Sequence, residues 1–191
     1  PSKVYTEEFL IPKESAVNED CLYLNVWTAA KNTEENRPVI MFIHGGAFRE
    51  GSGSIPIYNG EEIAKKGIVF ITINYRLGIF GFYAHPELSK ESTHHTSGNF
   101  AILDQIAALK WIKNNIKSFG GDPNNITIAG QSAGALSVNT LQASPLTKGL
   151  FQKVISESGG MVIGNSSRSM ITLDNAEKIG LKLEKAVGVK N

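Results

Sequence analysis

Thr127-Ile128-Ala129-Gly130-Gln131-Ser132-Ala133-Gly134 is the stretch on which the reading of this chain turns. Thr127 to Ala129 lead in as a short apolar strand, and Ala135, Leu136, Val138 and Leu141 follow at near-helical spacing. A G-x-S-x-G sequence at a strand-to-helix junction is a nucleophile elbow: the serine sits on a strained bend, and its hydroxyl projects above the sheet edge. Side chains at the flanking glycines would collide with the neighbouring strand and helix. The helix that follows aims its N-terminal N–H groups at the serine, where an oxyanion would form. From this motif alone two readings stand: an activated nucleophile, or a structural turn serine.

The rest of the chain places that junction in an α/β layer architecture. Leu22 to Trp27 alternates and reads as a strand. Pro38 to His44 reads as a continuous apolar strand, as expected in a sheet covered on both faces, and Ile68 to Tyr75 as a second buried strand. Asn59 to Lys66 reads as a short helix ended by Gly67. Asn99 reads as the N-cap of a long helix with Ile102, Ile106, Leu109 and Ile116 on one face, stopped by Gly120-Gly121 and followed by an Asp122-Pro123 turn. Ile126 to Ala129 feeds the elbow, Phe151 to Ser156 reads as a further strand, and Asn175 to Val187 as an amphipathic helix. The segments Arg49 to Asn59 and Gly78 to Gly98 read as long loops able to line a pocket. With 191 residues the chain is long enough for one sizeable core.

Composition excludes several function classes. Lys and Arg number 19 against 18 Asp and Glu, and no charge run suggests a nucleic-acid partner. The apolar runs are strand-length, so no membrane span is expected. Cys21 is the single cysteine, which excludes an internal disulfide and reads as a small buried hydrophobe. Pro1 is not an initiator methionine, and no signal peptide is read.

A second motif, His44-Gly45-Gly46-Ala47-Phe48, ends the Pro38 to His44 strand. Acyl transfer through a tetrahedral intermediate needs donors aimed at a developing oxyanion, and a glycine-bearing loop lets backbone N–H groups approach closely. Taken alone, H-G-G could equally be a tight turn; ahead of a nucleophile elbow it is the expected oxyanion loop, with the Ala133 N–H as third donor. A serine also needs a base. In the α/β-hydrolase arrangement the chain order is serine, acid, histidine, yet His44, His85, His94 and His95 all precede Ser132. His44 is expected to pack beside the oxyanion loop, and His94 and His95 to lie in a solvated loop. The chain is therefore expected to stop before the acid and the base.

These residues resemble the type B carboxylesterases, which include the cholinesterases. Glu19-Asp20-Cys21-Leu22-Tyr23-Leu24-Asn25-Val26-Trp27 looks like that family's N-terminal signature, and Phe119-Gly120-Gly121-Asp122-Pro123 with Ile126 to Gly134 looks like its active-site signature. Asn74 to Gly78, and Gly98-Asn99 running on to Asp104-Gln105, also match; Gly98 to Gly134 is most similar to bacterial members of the para-nitrobenzyl esterase type. The resemblance implies an α/β-hydrolase fold, with residues 1–191 as a partial catalytic domain truncated at both ends, its N-terminal half, built on a mostly parallel sheet flanked by helices. It implies Ser132 as nucleophile; Gly46, Ala47 and Ala133 as oxyanion donors with Gly45 shaping the loop; and Arg76 with Asp104 as a buried ion pair holding the long helix to the sheet. Ser158, with Gln131 and Glu157, would lie just behind the reacting groups. The implied partners are a small neutral ester and the missing C-terminal half of the same polypeptide, with no metal or organic cofactor, and a secreted or periplasmic location is favoured.

Three departures from the family pattern bear on chemistry. Gln131 stands where many relatives carry Glu, which removes a negative charge beside the serine and weakens the case for a cationic, choline-type substrate. Ala47 replaces a frequent third glycine, and its methyl narrows the acyl side while leaving its N–H in place. Cys21 occupies a position that often pairs with an upstream cysteine. Phe48, Ile55 and Phe80 suggest an apolar surround for a hydrophobic ester. Two competing readings remain at this stage: a non-catalytic adhesion or scaffold member of the same fold, and another serine hydrolase such as a thioesterase or peptidase.

Overall fold

A computed structural model of the chain describes residues 3–7, 17–160 and 171–188. Five strands form one sheet: β1 (Leu24–Trp27), β2 (Arg37–Ile43), β3 (Val69–Ile73), β4 (Gly121–Gln131) and β5 (Lys153–Glu157), in the order β1-β3-β2-β4-β5. Only β1 runs antiparallel to its neighbour; the β3-β2, β2-β4 and β4-β5 pairs are parallel. Val69, Phe70, Ile71, Thr72 and Ile73 are all buried, which is why this strand is apolar at four of its five positions rather than alternating. Met41, Ile43, Ile71 and Ile128 from the three central strands meet Leu109 and Ile112 of the long helix, Ile116 just past its end, and Val138 and Leu141 of the helix after the elbow in one core.

The helices are α1 (Lys3–Glu7), α2 (Glu61–Lys65), α3 (Gly78–Phe82), α4 (Pro86–Glu91), α5 (Phe100–Asn115), α6 (Ala133–Ala143) and α7 (Leu173–Val187). Several expectations need correcting. The segment 78–98 is not a plain loop: it carries α3 and α4, the latter starting on Pro86 with the His85 ring accepting the Glu87 N–H. Asn99 does precede α5, but its side chain makes no capping bond, because its ψ of 28° lies outside the extended conformation that turns a cap side chain back onto the helix. Strand β4 begins at Gly121, five residues before the apolar run. The Asp122 side chain still accepts the Asn124 N–H in a local turn, and the pairing with β2 shifts register between Arg37 and Val39. Cys21 is half-exposed rather than buried, and partial burial raises its thiol pKa.

The long helix is tied to the sheet just beyond β3. Asp104, on α5, accepts from the backbone N–H and Nε of Arg76 through Oδ2, at 3.1 and 2.8 Å, and from Nη2 through Oδ1 at 2.7 Å. The carboxylate side chain is 6% exposed and the guanidinium side chain 37%. The guanidinium carbon also lies 5.3 Å from the centre of the Phe100 ring. Asp104→Ala would strand three donors at once. Because the arginine keeps some water, the expected loss lies below that of a fully buried pair, about 2–3 kcal/mol by urea unfolding; a loss under about 0.5 kcal/mol would show that the pair does not hold the helix.

Candidate active site

Two loops leave the same edge of the sheet side by side. Ile43, the last residue of β2, pairs with Gly130 of β4 in parallel register, so His44-Gly45-Gly46 and Gln131-Ser132 emerge on adjacent strands. A β-carbon placed on Gly45 would lie 2.9 Å from the Gln131 carbonyl oxygen and 3.3 Å from Ser132 Cβ. Only a residue without a side chain allows the first loop to sit this close to the second. Ser132 itself adopts φ 56°, ψ −118°, a left-handed bend that a serine takes only under constraint from its surroundings.

That constraint comes from three directions. The Ser132 N–H donates to the Glu157 carbonyl at the end of β5, 2.8 Å away. Gly134, in the first turn of α6, packs directly on the end of β2, where an added methyl would overlap the Ile43 carbonyl oxygen. Gly159, past β5, lies against the Ser132 carbonyl and is held by Asn139 and Ser156, whose side chains donate to its carbonyl at 3.1 and 2.9 Å. Ser132 accepts the first intrahelical bond, from the Leu136 N–H, so the N–H groups of Ala133, Gly134 and Ala135 have no partner within the helix. The positive end of α6 therefore faces Ser132.

The opposing loop is also left-handed. Gly46, Ala47 and Phe48 have φ of 112°, 52° and 61°. The N–H groups of Arg49 and Glu50 both reach the Gly46 carbonyl, and the Phe48 carbonyl accepts from Gly78 N at 2.6 Å. The Phe48 ring packs edge-on against Phe82, at 5.0 Å between centres. Among the described residues no hydrogen bond engages the N–H of Gly46 or Ala47. Next to the loop, Ser52 Oγ and the Gly53 N–H donate to the Asn74 side-chain oxygen, and the Thr72 hydroxyl donates to the Gly53 carbonyl, so the long segment from Arg49 to Asn59 is pinned to β3 and the residue just beyond it.

The other sequence-selected residues scatter around this centre. Gln131 lines the gap under Gly45, its side-chain oxygen 2.9 Å from where a Gly45 β-carbon would be. Glu157 bonds Ser132 through its backbone, and Ser158 follows on a left-handed bend with φ 54°. Ile55 is buried in the core and Phe80 is exposed, so the three apolar residues do not share one environment. His94 and His95 are exposed. His85 stacks on Tyr83 and lies 3.2 Å from Glu184 of α7 through Nε2, while Ser89 bonds Glu177 of the same helix. This docking of α7 spans almost a hundred residues of sequence and leaves no local signal. The described residues hold no cluster of side chains suited to a metal ion and no helix long and apolar enough to cross a membrane.

His44 is sealed beneath the loop, and burial pushes its pKa down from the usual 6.5 to about 4 against the opposing pull of the Gly45 carbonyl. The unfolded chain therefore binds the extra proton between these two values and the folded chain does not. Stability falls as pH drops from 6.5 to 4, by about 3 kcal/mol from this residue. Urea unfolding across that range should show a steeper decline for the native chain than for His44→Asn; parallel declines would remove the effect.

The carboxylesterase family model matches residues 3–190. The chain belongs to this family. Among carboxylesterases of known identity, it is 50% identical over 156 residues to the para-nitrobenzyl esterase of Bacillus subtilis (strain 168), covering 81% of the chain and 30% of that protein. It is 46% identical over 171 residues to the fumonisin B1 esterase of Sphingopyxis macrogoltabida, covering 90% of the chain and 31% of that protein. The chain thus spans under a third of the length of these two relatives. Of solved structures, a PNB esterase superposes with a TM-score of 0.79 at 43% identity, over 94% of the chain and 37% of its own length. A carboxylesterase of Geobacillus stearothermophilus gives 0.82 at 43% identity, over 94% and 36%. The fold is that of the α/β-hydrolases, with the sheet and helices described above as a part of it.

Proposed function

We propose that this chain carries the nucleophile and the oxyanion site of a serine carboxylesterase. The observation that carries the reading is the juxtaposition of Ser132, on its left-handed bend, with the Gly45-Gly46-Ala47 loop on the adjacent strand. Ser132 Oγ attacks the ester carbonyl carbon, and its proton passes to a histidine farther along the polypeptide, itself oriented by an acid. The electron pair of the C=O bond moves onto oxygen, and the N–H groups of Gly46, Ala47 and Ala133 stabilise that oxyanion. Ser132's own N–H is not among these donors, since it is already committed to Glu157. The tetrahedral intermediate collapses, the alcohol leaves with the proton from the histidine, and water then releases the acid from the acyl-enzyme.

The substrate class is a small neutral ester. Gln131 adds no charge beside the serine, which weakens the case for a cationic substrate. Two of the similar proteins are named as esterases of para-nitrobenzyl and fumonisin B1 substrates, which supports ester chemistry. The complete loop and the strained serine favour catalysis over a scaffold role, because strain of this kind is costly to maintain without use.

A fluorophosphonate probe, followed by peptide mass mapping of the full-length polypeptide, tests the reading. The expected adduct is on Ser132; labelling at another residue, or none, overturns it. Purified residues 1–191 are expected to hydrolyse para-nitrophenyl acetate at no more than trace rates, because no histidine follows Ser132. Ordinary esterase rates that vanish on Ser132→Ala would show that a base lies within this stretch.

A further inference from the structure

His44 does more than fill space under the loop. Its Nδ1 lies 2.7 Å from the carbonyl oxygen of Gly45. The ring stacks on Tyr75 with 4.5 Å between centres and 19° between planes, and the Tyr75 hydroxyl donates to the His44 carbonyl at 2.8 Å. Gly51 closes the other side, where a β-carbon would come within 2.8 Å of Cε1. Nε2 has no hydrogen-bond partner among the described residues. A carbonyl only accepts, so the hydrogen is assigned to Nδ1, and Nε2 of the neutral ring is bare.

A trans peptide group holds its C=O and N–H in opposite directions, and the described residues contain no cis bond. Whatever fixes the Gly45 carbonyl therefore also fixes the Gly46 N–H. Both glycines lack the side-chain sterics that would otherwise restrict this plane. We propose that His44 is a positioning residue whose Nδ1–H holds the Gly45 carbonyl and thereby aims the Gly46 N–H at the substrate oxyanion. This rests on the proposed ester hydrolysis at Ser132. Burial keeps the ring neutral above about pH 4, so the same single donor is presented throughout the range in which an esterase works.

The test compares His44→Asn and His44→Leu in the full-length polypeptide. An asparagine amide nitrogen can occupy nearly the place of Nδ1; leucine fills the space without a donor. With para-nitrophenyl butyrate, His44→Leu is expected to lower kcat about 10- to 100-fold with KM within about 3-fold, because the donor acts on the transition state more than on the bound ester. His44→Asn is expected to recover kcat to within about 5-fold of the native value. Equal losses in the two variants, or a His44→Leu kcat within about 3-fold of native, overturns the proposal. Should the leucine variant not fold, a His44→Asn protein that melts at the native temperature but loses more than about 10-fold in kcat does the same.

A readout independent of turnover is the 15N spectrum of selectively labelled histidine at pH 7. The proposal requires Nδ1 protonated and Nε2 bare, and the opposite tautomer refutes it. Undiminished turnover by Ser132→Ala would instead bring down the esterase reading, while the spectrum still judges the hydrogen bond.

Discussion

Ser132→Ala is expected to lower kcat for a para-nitrophenyl ester by a factor of about 10⁴ or more in the full-length polypeptide, with KM changed by less than about 3-fold. The loss is large because covalent attack has no substitute: the oxyanion N–H groups remain, but they have only a water-derived intermediate to stabilise. Stability should hardly change, since alanine suffers the same left-handed bend as serine. Ser132→Gly separates the two effects. It removes the same hydroxyl and relieves the bend, so it should be as inactive as the alanine variant and more stable by about 1 kcal/mol. A Ser132→Ala protein retaining more than about a tenth of native turnover would move the nucleophile elsewhere.

Gly134→Ala should be among the more damaging single methyls in the described residues. The added carbon would overlap the Ile43 carbonyl oxygen and lie 3.0 Å from that of His44. Both are backbone atoms of a central strand and its extension, so neither can rotate away; α6 must lift from the sheet instead. The expected cost is on the order of 3–5 kcal/mol in urea unfolding, above the usual penalty for overpacking a side-chain core. The reaction rate with fluorophosphonate should fall as well, since the same contact sets how closely Ser132 approaches the Gly45 loop. Gly149→Ala is the control: no atom lies within 4 Å of its added carbon, and its φ of 80° predicts a penalty of only about 1 kcal/mol. Comparable losses at the two positions would show that the α6–β2 contact is softer than its geometry indicates.

The parts of this architecture that were legible in the sequence are those with a repeating local cause. Val39 to Ile43 and Val69 to Ile71 are apolar at consecutive positions because a parallel strand is covered on both faces. The elbow was legible because a short apolar strand, two glycines and a helical pattern converge on Ser132. What escaped notice lacks such a cause. Helix α3 has five residues and α4 six, less than two turns each, so no helical period can show. Strand β5 is exposed along its whole length, and only the pairing with β4 defines its ends as Lys153 and Glu157. The roles of His85 and Asn74 depend on partners far away or on backbone groups, which no local pattern announces. The H-G-G motif puts His44 beside the loop, but the bond from its ring to the next residue's carbonyl depends on rotamer and ring orientation, which no local sequence pattern encodes.

The pairing of Ile43 with Gly130 has a consequence for how such a chain can diverge. The separation of the two loops equals the spacing between neighbouring hydrogen-bonded strands, about 4.8 Å, a length dictated by peptide geometry and indifferent to the identity of the surrounding side chains. Most of the core can therefore be exchanged over evolutionary time while the reacting groups stay in place. Only the few glycines at the crossing, where backbone meets backbone, are denied that freedom.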